Sequence, residues 1–589
     1  MNKSNVNHGM ICEGVFLTEL VKKYFVIIII ILSLFLVMAP IQAQDINDNA
    51  ISLDDSSVEL FVGLEETQTE SFNSYTNLND EIYNADSGST INLTENYAYD
   101  DNYDSELKEG IQISKNLTIV GKSNSYIDGS GYARGLYIGS NCNVVLENIT
   151  IKNCYSQRID PNYNGNGGGI FLDENSTLTL RNCLLIGNKV ANEWDYGGAI
   201  YAAKGAQIEI SDSILDCNNV GSGLYAVSGC NAILDNVNIT NSNGQGNLYF
   251  GSDSNVTIIN SVLTAYESGY MDALINFQGS NIEIRDSILD CKSVVRGLSG
   301  YSSCNAILDN VAINNCPNYN EGIYLGSGSN LTLRSCALND LGSNCYSLIS
   351  FSGSNIEIHD STFDCRGAAL NIYSANALLD NINVLSSNSD SSLIYFSGSN
   401  MTMTNSVVDG SGSARGLYAG SGSNVILEKT TIKNCYSRNK NNNGGGIFLC
   451  SGSNLTLQNC NLINNKVYNA NGGAIGADSG THRYLSNTTV SKSTGQRVSS
   501  QLWNSFKAGM GSAIYVNKGS VVDLSGSAFK DNDGYLSTIV VVSHNDGDDK
   551  PTQSNLTIDH CTFENNKAQT NGVIYLDEYG SCQILNSVF

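Results

Sequence analysis

The 589-residue chain is predicted to be all-β, a right-handed parallel β-helix of about 18 coils of about 24–25 residues. Three observations predict it. First, "GSNIEIRDSILDC" (Gly279–Cys291) returns as "GSNIEIHDSTFDC" (Gly353–Cys365), with an earlier relative, "GAQIEISDSILDC" (Gly205–Cys217), so one phrase recurs every 74 residues. Second, an Asn precedes each short run of alternating hydrophobes at Asn231, Asn255, Asn281, Asn305, Asn330, Asn355, Asn376, Asn400, Asn424 and Asn454, with gaps of 21 to 30 residues. The 74-residue return is therefore three units of a finer period. Third, 57 Gly, 4 Pro and 15% charged residues leave few helix formers, while turn formers and β-branched residues abound.

Each unit reads as a Gly/Ser turn, an Asn, alternating hydrophobes, a polar pair, a small residue, another hydrophobe, then Asn or Asp. In phrases such as "TLTLRNCLLIGN" (Thr177–Asn188) the alternation has strand period, and no helical period spans any unit. Such short strands cannot bury a face alone, but stacked copies can, each strand pairing with its equivalent one coil above. At about 4.8 Å per coil the stack would be on the order of 85 Å long. In "GSNIEIRDSILDC" the expected inward residues are Ile282, Ile284 and Ser287, with Asn281 and Asp286 at corners and Arg285 facing water. The recurring Asn is expected to take the left-handed conformation and to hydrogen-bond its counterparts in a ladder. Glycines in "NGNGGGIFL" (Asn164–Leu172), "YGGAI" (Tyr196–Ile200) and "NGGAI" (Asn471–Ile475) supply tight turns.

In chain order, Lys22 and Lys23 precede the apolar run Tyr24–Met38 and "APIQAQ", the pattern of a signal peptide over 1–43 cleaved between Ala43 and Gln44. Residues 44–104 lack the repeat and read as an acidic linker and N-terminal cap over the first coil. The repeat domain is assigned to 105–589, interrupted by an irregular loop over about 481–507 that holds Trp503. The last phrase, "SCQILNSVF", breaks off in mid-unit.

The chain carries 57 acidic and 31 basic residues, a net charge of −26, which disfavours nucleic acid and anionic membranes as partners. Of the 17 cysteines, Cys183, Cys336, Cys460 and Cys561 share a repeat slot with Ser213, Ser261, Ser287, Ser361 and Ser406. A slot that accepts either residue wants a small, buried, weakly polar side chain, so core thiols rather than a disulfide framework are expected. The outward acids Glu209, Glu283 and Glu357 are three coils apart, too far to act as a catalytic pair. No zincin, nucleophile-elbow or phosphate-loop motif occurs, so catalytic, metal and cofactor-binding residues are assigned as none. N-x-S/T acceptors begin at Asn92, Asn116, Asn148, Asn175, Asn238, Asn255, Asn330, Asn400, Asn454, Asn487 and Asn555. Tyr137, Tyr225, Tyr249, Tyr324, Tyr395 and Tyr418 recur before the Gly/Ser turn. What varies between the three copies of the opening phrase is one outward slot, Ser211, Arg285, His359, the column where recognition is expected.

"GIQISKNLTIVGKSNSYIDGSG" (Gly110–Gly131) resembles the opening coils of pectate-lyase-like β-helix proteins. "FENNKAQTNGVIYL" (Phe563–Leu576), "LINNKVYNANGGAI" (Leu462–Ile475) and "LIGNKVANEWDYGGAI" (Leu185–Ile200) resemble repeats of chlamydial polymorphic membrane proteins. With the signal peptide and the Asn/Ser-rich coils, the whole is similar to adhesin-like surface proteins of methanogenic archaea. These are scaffold motifs and specify fold better than function. The resemblance implies an exported surface protein, a non-enzymatic adhesin or envelope component whose partners are glycans or proteins of another cell or its own envelope. The alternative is a polysaccharide lyase or glycoside hydrolase of the β-helix class.

Overall fold

The computed structural model describes residues 73–589 apart from 123, 158–164, 192–195, 218–220, 243–245, 267–271, 293–294, 317–319, 340–345, 387–390, 399, 439–442, 497–508 and 544–551. The cleavage site Ala43–Gln44 and Trp503 lie outside the described residues. The described chain is a parallel β-solenoid. One set of 18 strands, from Ile111–Ile113 to Ile574–Leu576, stacks so that each hydrogen-bonds the next, which is 17 turns from first to last. The coil that holds the opening phrase shows the plan. A leading strand, Asn281–Arg285, turns at a corner into a following strand, Ile288–Asp290, and the chain then reaches a third strand, Arg296–Gly300. Each pairs in parallel with its equivalent in both neighbouring coils, without a register shift.

Alternation decides what is buried. Ile282 and Ile284 are at most 2% exposed, Ser287 and Leu289 are buried with them, and Arg285 is exposed. Inward side chains from successive coils form one continuous hydrophobic core. Where a coil offers Phe277 and Leu325 on either side of one slot, the slot between holds Gly300; a Cβ there would lie 2.5 Å from Leu325 and 2.9 Å from Phe277.

The Asn row is a ladder. Asn255 Nδ2 donates to Asn231 Oδ1 at 2.9 Å, Asn281 to Asn255 at 2.8 Å, Asn305 to Asn281 at 2.7 Å and Asn330 to Asn305 at 2.8 Å. It continues through Asn355, Asn376, Asn400 and Asn424. Its backbone, however, is not left-handed. These Asn begin their strands, and the positive φ angles fall five residues on, at Asp286 (49°), Asn310 (53°) and Asp360 (51°), just past the strand, and at Asp212 (49°) and Asn236 (55°), within the continuous strands Gln207–Asp216 and Asn231–Ser242. That is where the chain turns between leading and following strands, and a side chain that bonds locally offsets the αL cost there. Asn281 therefore sits in the strand and Asp286 makes the corner.

Just inside this corner lies the Cys/Ser slot. Cys183 N donates to Ser213 Oγ at 3.0 Å, Ser261 N to Ser287 Oγ at 3.1 Å and Cys336 N to Ser361 Oγ at 3.1 Å, so the hydroxyl satisfies the preceding coil's amide. The cysteines donate their own S–H to carbonyls, Cys183 to Leu146 O and Cys336 to Leu308 O. All described cysteines are free thiols, and all are buried except Cys450 and Cys582. Burial pushes the Cys183 and Cys336 thiols up to about 11.

Two expected boundaries move. Coil strands begin at Thr90–Asn92 and Tyr97–Ala98, which pair with Leu117–Val120 and Tyr126–Asp128, so the stack starts before residue 105. Strands of two or three residues carry too little alternation to be read as repeats. The helix Tyr75–Asn84 supplies Tyr75, Leu78 and Ile82, each no more than 1% exposed, to the core. Asp104 accepts from Tyr75 N at 3.1 Å and Thr76 N at 2.8 Å, a carboxylate at the helix's positive end. At the other boundary, His482–Ser486, Thr489–Ser491 and Thr494–Gln496 form a regular coil, in register with Asn454–Gln458, Asn461–Ile463 and Lys466–Tyr468. This coil read as a loop because His482 replaces the ladder Asn and Arg483 replaces the inward aliphatic.

Arg483 stands in the column Val425, Leu455, Arg483, Val522, Leu556 and is 1% exposed. Its Nη2 donates to Thr481 Oγ1, while Nε and Nη1 have no partner. Loss of hydration lowers its pKa to about 9. Because the folded pKa is depressed for a cation, the burial cost is fully present at neutral pH. It is relieved as pH rises above about 9, where the unfolded chain holds the extra proton. Arg483→Leu is expected to stabilise the stack by about 2 kcal/mol at neutral pH, read as a higher denaturant midpoint, with the gain shrinking above pH 9. In native protein, Cys450 and Cys582 are expected to react first with an alkylating reagent. The buried thiols should react only at the rate of local opening, as measured by peptide mass mapping.

Candidate functional site

The outward slot of Ser211, Arg285 and His359 is a continuous column. Register carries it through Arg181, Ser211, Asp235, Ile259 and Arg285, then through Asp309, Arg334, His359, Asp380, Thr404 and Glu428. Ser211, Arg285 and His359 stay three coils apart, roughly 14 Å at the strand spacing, and the fold does not gather them. His359 borders a depression in the surface, which Leu378, Asp380, Thr404, Asn405, Glu428 and Lys429 also line. The depression therefore runs across four successive coils, lined by the last residues of the leading strands, by Leu378 from the middle of one, and by Asn405 and Lys429 at the left-handed corner.

Its charges are ordered. Asp380 Oδ1 accepts from Asn405 Nδ2 at 2.8 Å and from Thr404 Oγ1 at 2.5 Å, and these bonds hold its carboxyl below the usual range. Lys429 Nζ lies 3.3 Å from Glu428 Oε1, and Leu378 contributes a 39% exposed apolar patch. The site thus offers a cation and two carboxylates beside an imidazole and an aliphatic surface. It is open, and suits the side of an extended polar ligand better than the enclosure of a small one.

A second cluster, which the repeat pattern did not flag, lies on the outer face of the third strands. Arg296 ion-pairs with Asp272 in the coil before and, at 2.9 Å, with Glu321 in the coil after. Tyr301 Oη donates to Asp272 Oδ2 at 2.6 Å and Ser299 Oγ donates to the same oxygen at 3.1 Å. Burial, then Asp272, raises the Tyr301 pKa. The signal was present in "RGL", which recurs at Arg134, Arg296 and Arg415. Arg134 is buried and pairs with Glu109 at 2.7 Å, whereas Arg415 donates to Gly444 O, Ser392 Oγ and Ser437 Oγ. Burial lowers the Arg415 pKa to about 10.

The recurrent tyrosines stand on the same third strands, facing out along the stack. Tyr137, Phe171, Tyr201, Tyr225 and Tyr249 occupy successive coils with rings 4.4 to 5.9 Å apart and within 24° of parallel. Tyr395 and Tyr418 form a second stack at 4.8 Å. Tyr324 instead meets Tyr301 edge-on at 6.4 Å.

Glu209, Glu283 and Glu357 lie in the middle outward column, three coils apart as expected, and Glu283 pairs with Arg285 on its own strand. Among the described residues, no group of three or more His, Cys, Asp or Glu is placed to hold a metal ion. No described helix is long and apolar enough to cross a membrane.

The glycosylation acceptors divide by column. Asn116, Asn255, Asn330, Asn400, Asn454 and Asn555 all belong to the ladder row, Asn116 by accepting from Asn143 N and the rest by strand register. Asn148, Asn175 and Asn487 take left-handed corners, with φ of 58°, 56° and 47°. Asn92 closes the strand Thr90–Asn92 in the charged column, and Asn238 faces out from the following-strand half of Asn231–Ser242.

Residues 296–494 and 383–589 match the family model described as the right handed beta helix region. With the parallel stacking above, the fold is a right-handed parallel β-helix of the pectate-lyase-like kind. No curated protein is matched by the sequence. Among solved structures, the chain is similar to an alginate lyase in complex with G6, at 11% identity over 78% of this chain and 84% of that one, with a TM-score of 0.20. It is similar to a PL6 family alginate lyase at 9% identity over 88% and 99%, TM-score 0.22. It is also similar to a periplasmic alginate epimerase at 9% identity over 85% and 84%, TM-score 0.18. At these scores the likenesses bear on neither ligand nor chemistry.

Proposed function

We propose that this right-handed β-helix is an exported surface protein whose stacked coils present a recognition face, acting as a non-enzymatic adhesin or a binding component of a cell envelope. Its partners are glycans or proteins of another cell or of its own envelope. The depression bordered by His359 carries this reading. It is built on the outward column that differs between copies of the same phrase, so the scaffold stays constant while the lining changes. Its mixed charge beside an exposed Leu378 suits a polar ligand lying along the coils. The net charge of −26 speaks against nucleic acid as the partner.

A second reading, a carbohydrate-active enzyme, draws on the Asp272–Arg296–Glu321 network with Tyr301 beside it. A guanidinium held between carboxylates next to a tyrosine hydroxyl is a group set that polysaccharide chemistry can use, although here every member is engaged by another.

The two readings separate in one set of measurements on residues 44–589. On a glycan array and on whole cells, binding is expected, and the pair His359→Ala with Lys429→Glu should weaken it by about tenfold while Arg296→Met leaves it unchanged. Absence of any binding, or binding indifferent to the pair, would sink the recognition reading. Depolymerisation of a uronan panel in the presence of Ca²⁺, abolished by Arg296→Met, would replace it with the enzyme.

A further inference from the structure

We infer that the ladder row is a row of N-linked glycans carried on Asn116, Asn255, Asn330, Asn400, Asn454 and Asn555. The inference rests on the export proposed above. Along a strand, residues i and i+2 share a face, so an N-x-T phrase beginning at the first strand position turns both the amide and the hydroxyl outward. Four of the six open their strands, Asn116 precedes Leu117–Val120 and Asn555 is second in Ser554–Asp559; in all six the Asn is exposed or half-exposed and Thr118, Thr257, Thr332, Thr402, Thr456 and Thr557 are half-exposed.

The scaffold explains the Asn but not the Thr. Asn231, Asn281, Asn305 and Asn355 serve the same ladder with Ile233, Glu283, Ile307 and Glu357 two residues on, so the ladder does not need a hydroxyl there. Nor are the Thr-bearing members neighbours. The closest pair, Asn400 and Asn454, has Asn424 between them. At about 4.8 Å per coil they are about 10 Å apart, whereas attachments on adjacent coils would collide.

The ladder also tolerates the bond. Transfer joins Nδ2 to the anomeric carbon of an activated glycosyl donor, displaces its phosphate leaving group and releases one amide proton. The second N–H remains to donate to the Oδ1 one coil below, as Asn255 and Asn330 do now. The corner acceptors differ. A Cβ at Gly205 would lie 2.5 Å from Asn175 Oδ1 and one at Gly526 would lie 2.6 Å from Asn487 Oδ1, so these carboxamides lie tight against the next coil.

The test is glycopeptide mass spectrometry of the full chain from the cells that make it, with N-terminal sequencing of the same sample. Glycans are expected on the six row positions and not on Asn175 or Asn487. Thr332→Ser should keep the Asn330 glycan and Thr332→Val should lose it, with both proteins folded. A processed N-terminus at Gln44 with a bare row, or corner occupancy equal to the row's, overturns this inference and leaves export standing. An N-terminus at Met1 together with a bare row overturns export and the glycan row together.

Discussion

The whole molecule depends on in-register parallel pairing of each coil with the next. A strand of three to five residues buries almost nothing by itself, and its backbone groups have no partner within its own coil. Both needs are met only when an equivalent strand lies directly above and below. Register then becomes absolute: a slip of one residue would turn Ile282 and Ile284 to water and Arg285 inward. Every other regularity follows from this constraint. Like stacks on like, so an Asn can bond an Asn, a Tyr can stack on a Tyr, and a hydroxyl or thiol can meet the same amide in coil after coil.

The same constraint explains why surface chemistry is arranged in columns. A residue's neighbours in space are its counterparts about 25 positions away, so a change at one outward slot is felt mainly along the stack. The Asp380 carboxylate finds its donors, Thr404 and Asn405, one coil on, and Arg296 finds Asp272 and Glu321 one coil to either side. Such a surface can vary its lining without disturbing the core. Arg483 marks where the rule is broken inward, a charge in a column of aliphatics with a single hydrogen-bonded partner. Its cost is tolerable because the coils on both sides, through Leu455 and Val522, keep the stack in register.

The architecture was legible because a repeat states its period many times over. The inward residues, the outward Arg285 and the shared Cys/Ser slot could be read from alternation and from copies set side by side. Legibility failed where a coil departed from the phrase. The coil from His482 to Gln496 replaced both of its markers, and the first coils before residue 105 used strands too short to alternate. The left-handed corner was misplaced by a different route. Asn is common both in ladders and at positive φ, and only the backbone shows that the ladder Asn is extended while Asp286 and its equivalents turn.

The sequence by itself determined the repeat, the strand class, the inward face and the columns, because these depend on residues at fixed separations along the chain. It also marked the varying slot of Ser211, Arg285 and His359. Tertiary structure alone decided which members of a column act together. Ser211 and Arg285 stay three coils apart, Arg285 pairing with Glu283 on its own strand, while His359 shares one depression with Asp380, Glu428 and Lys429. It also decided that six acceptor asparagines stand in one row and three in corners. The physical reason is that coils differ in length, from 21 to 30 residues between ladder Asn, so counting along the chain does not give height or direction on the stack. Only the hydrogen-bonded register does.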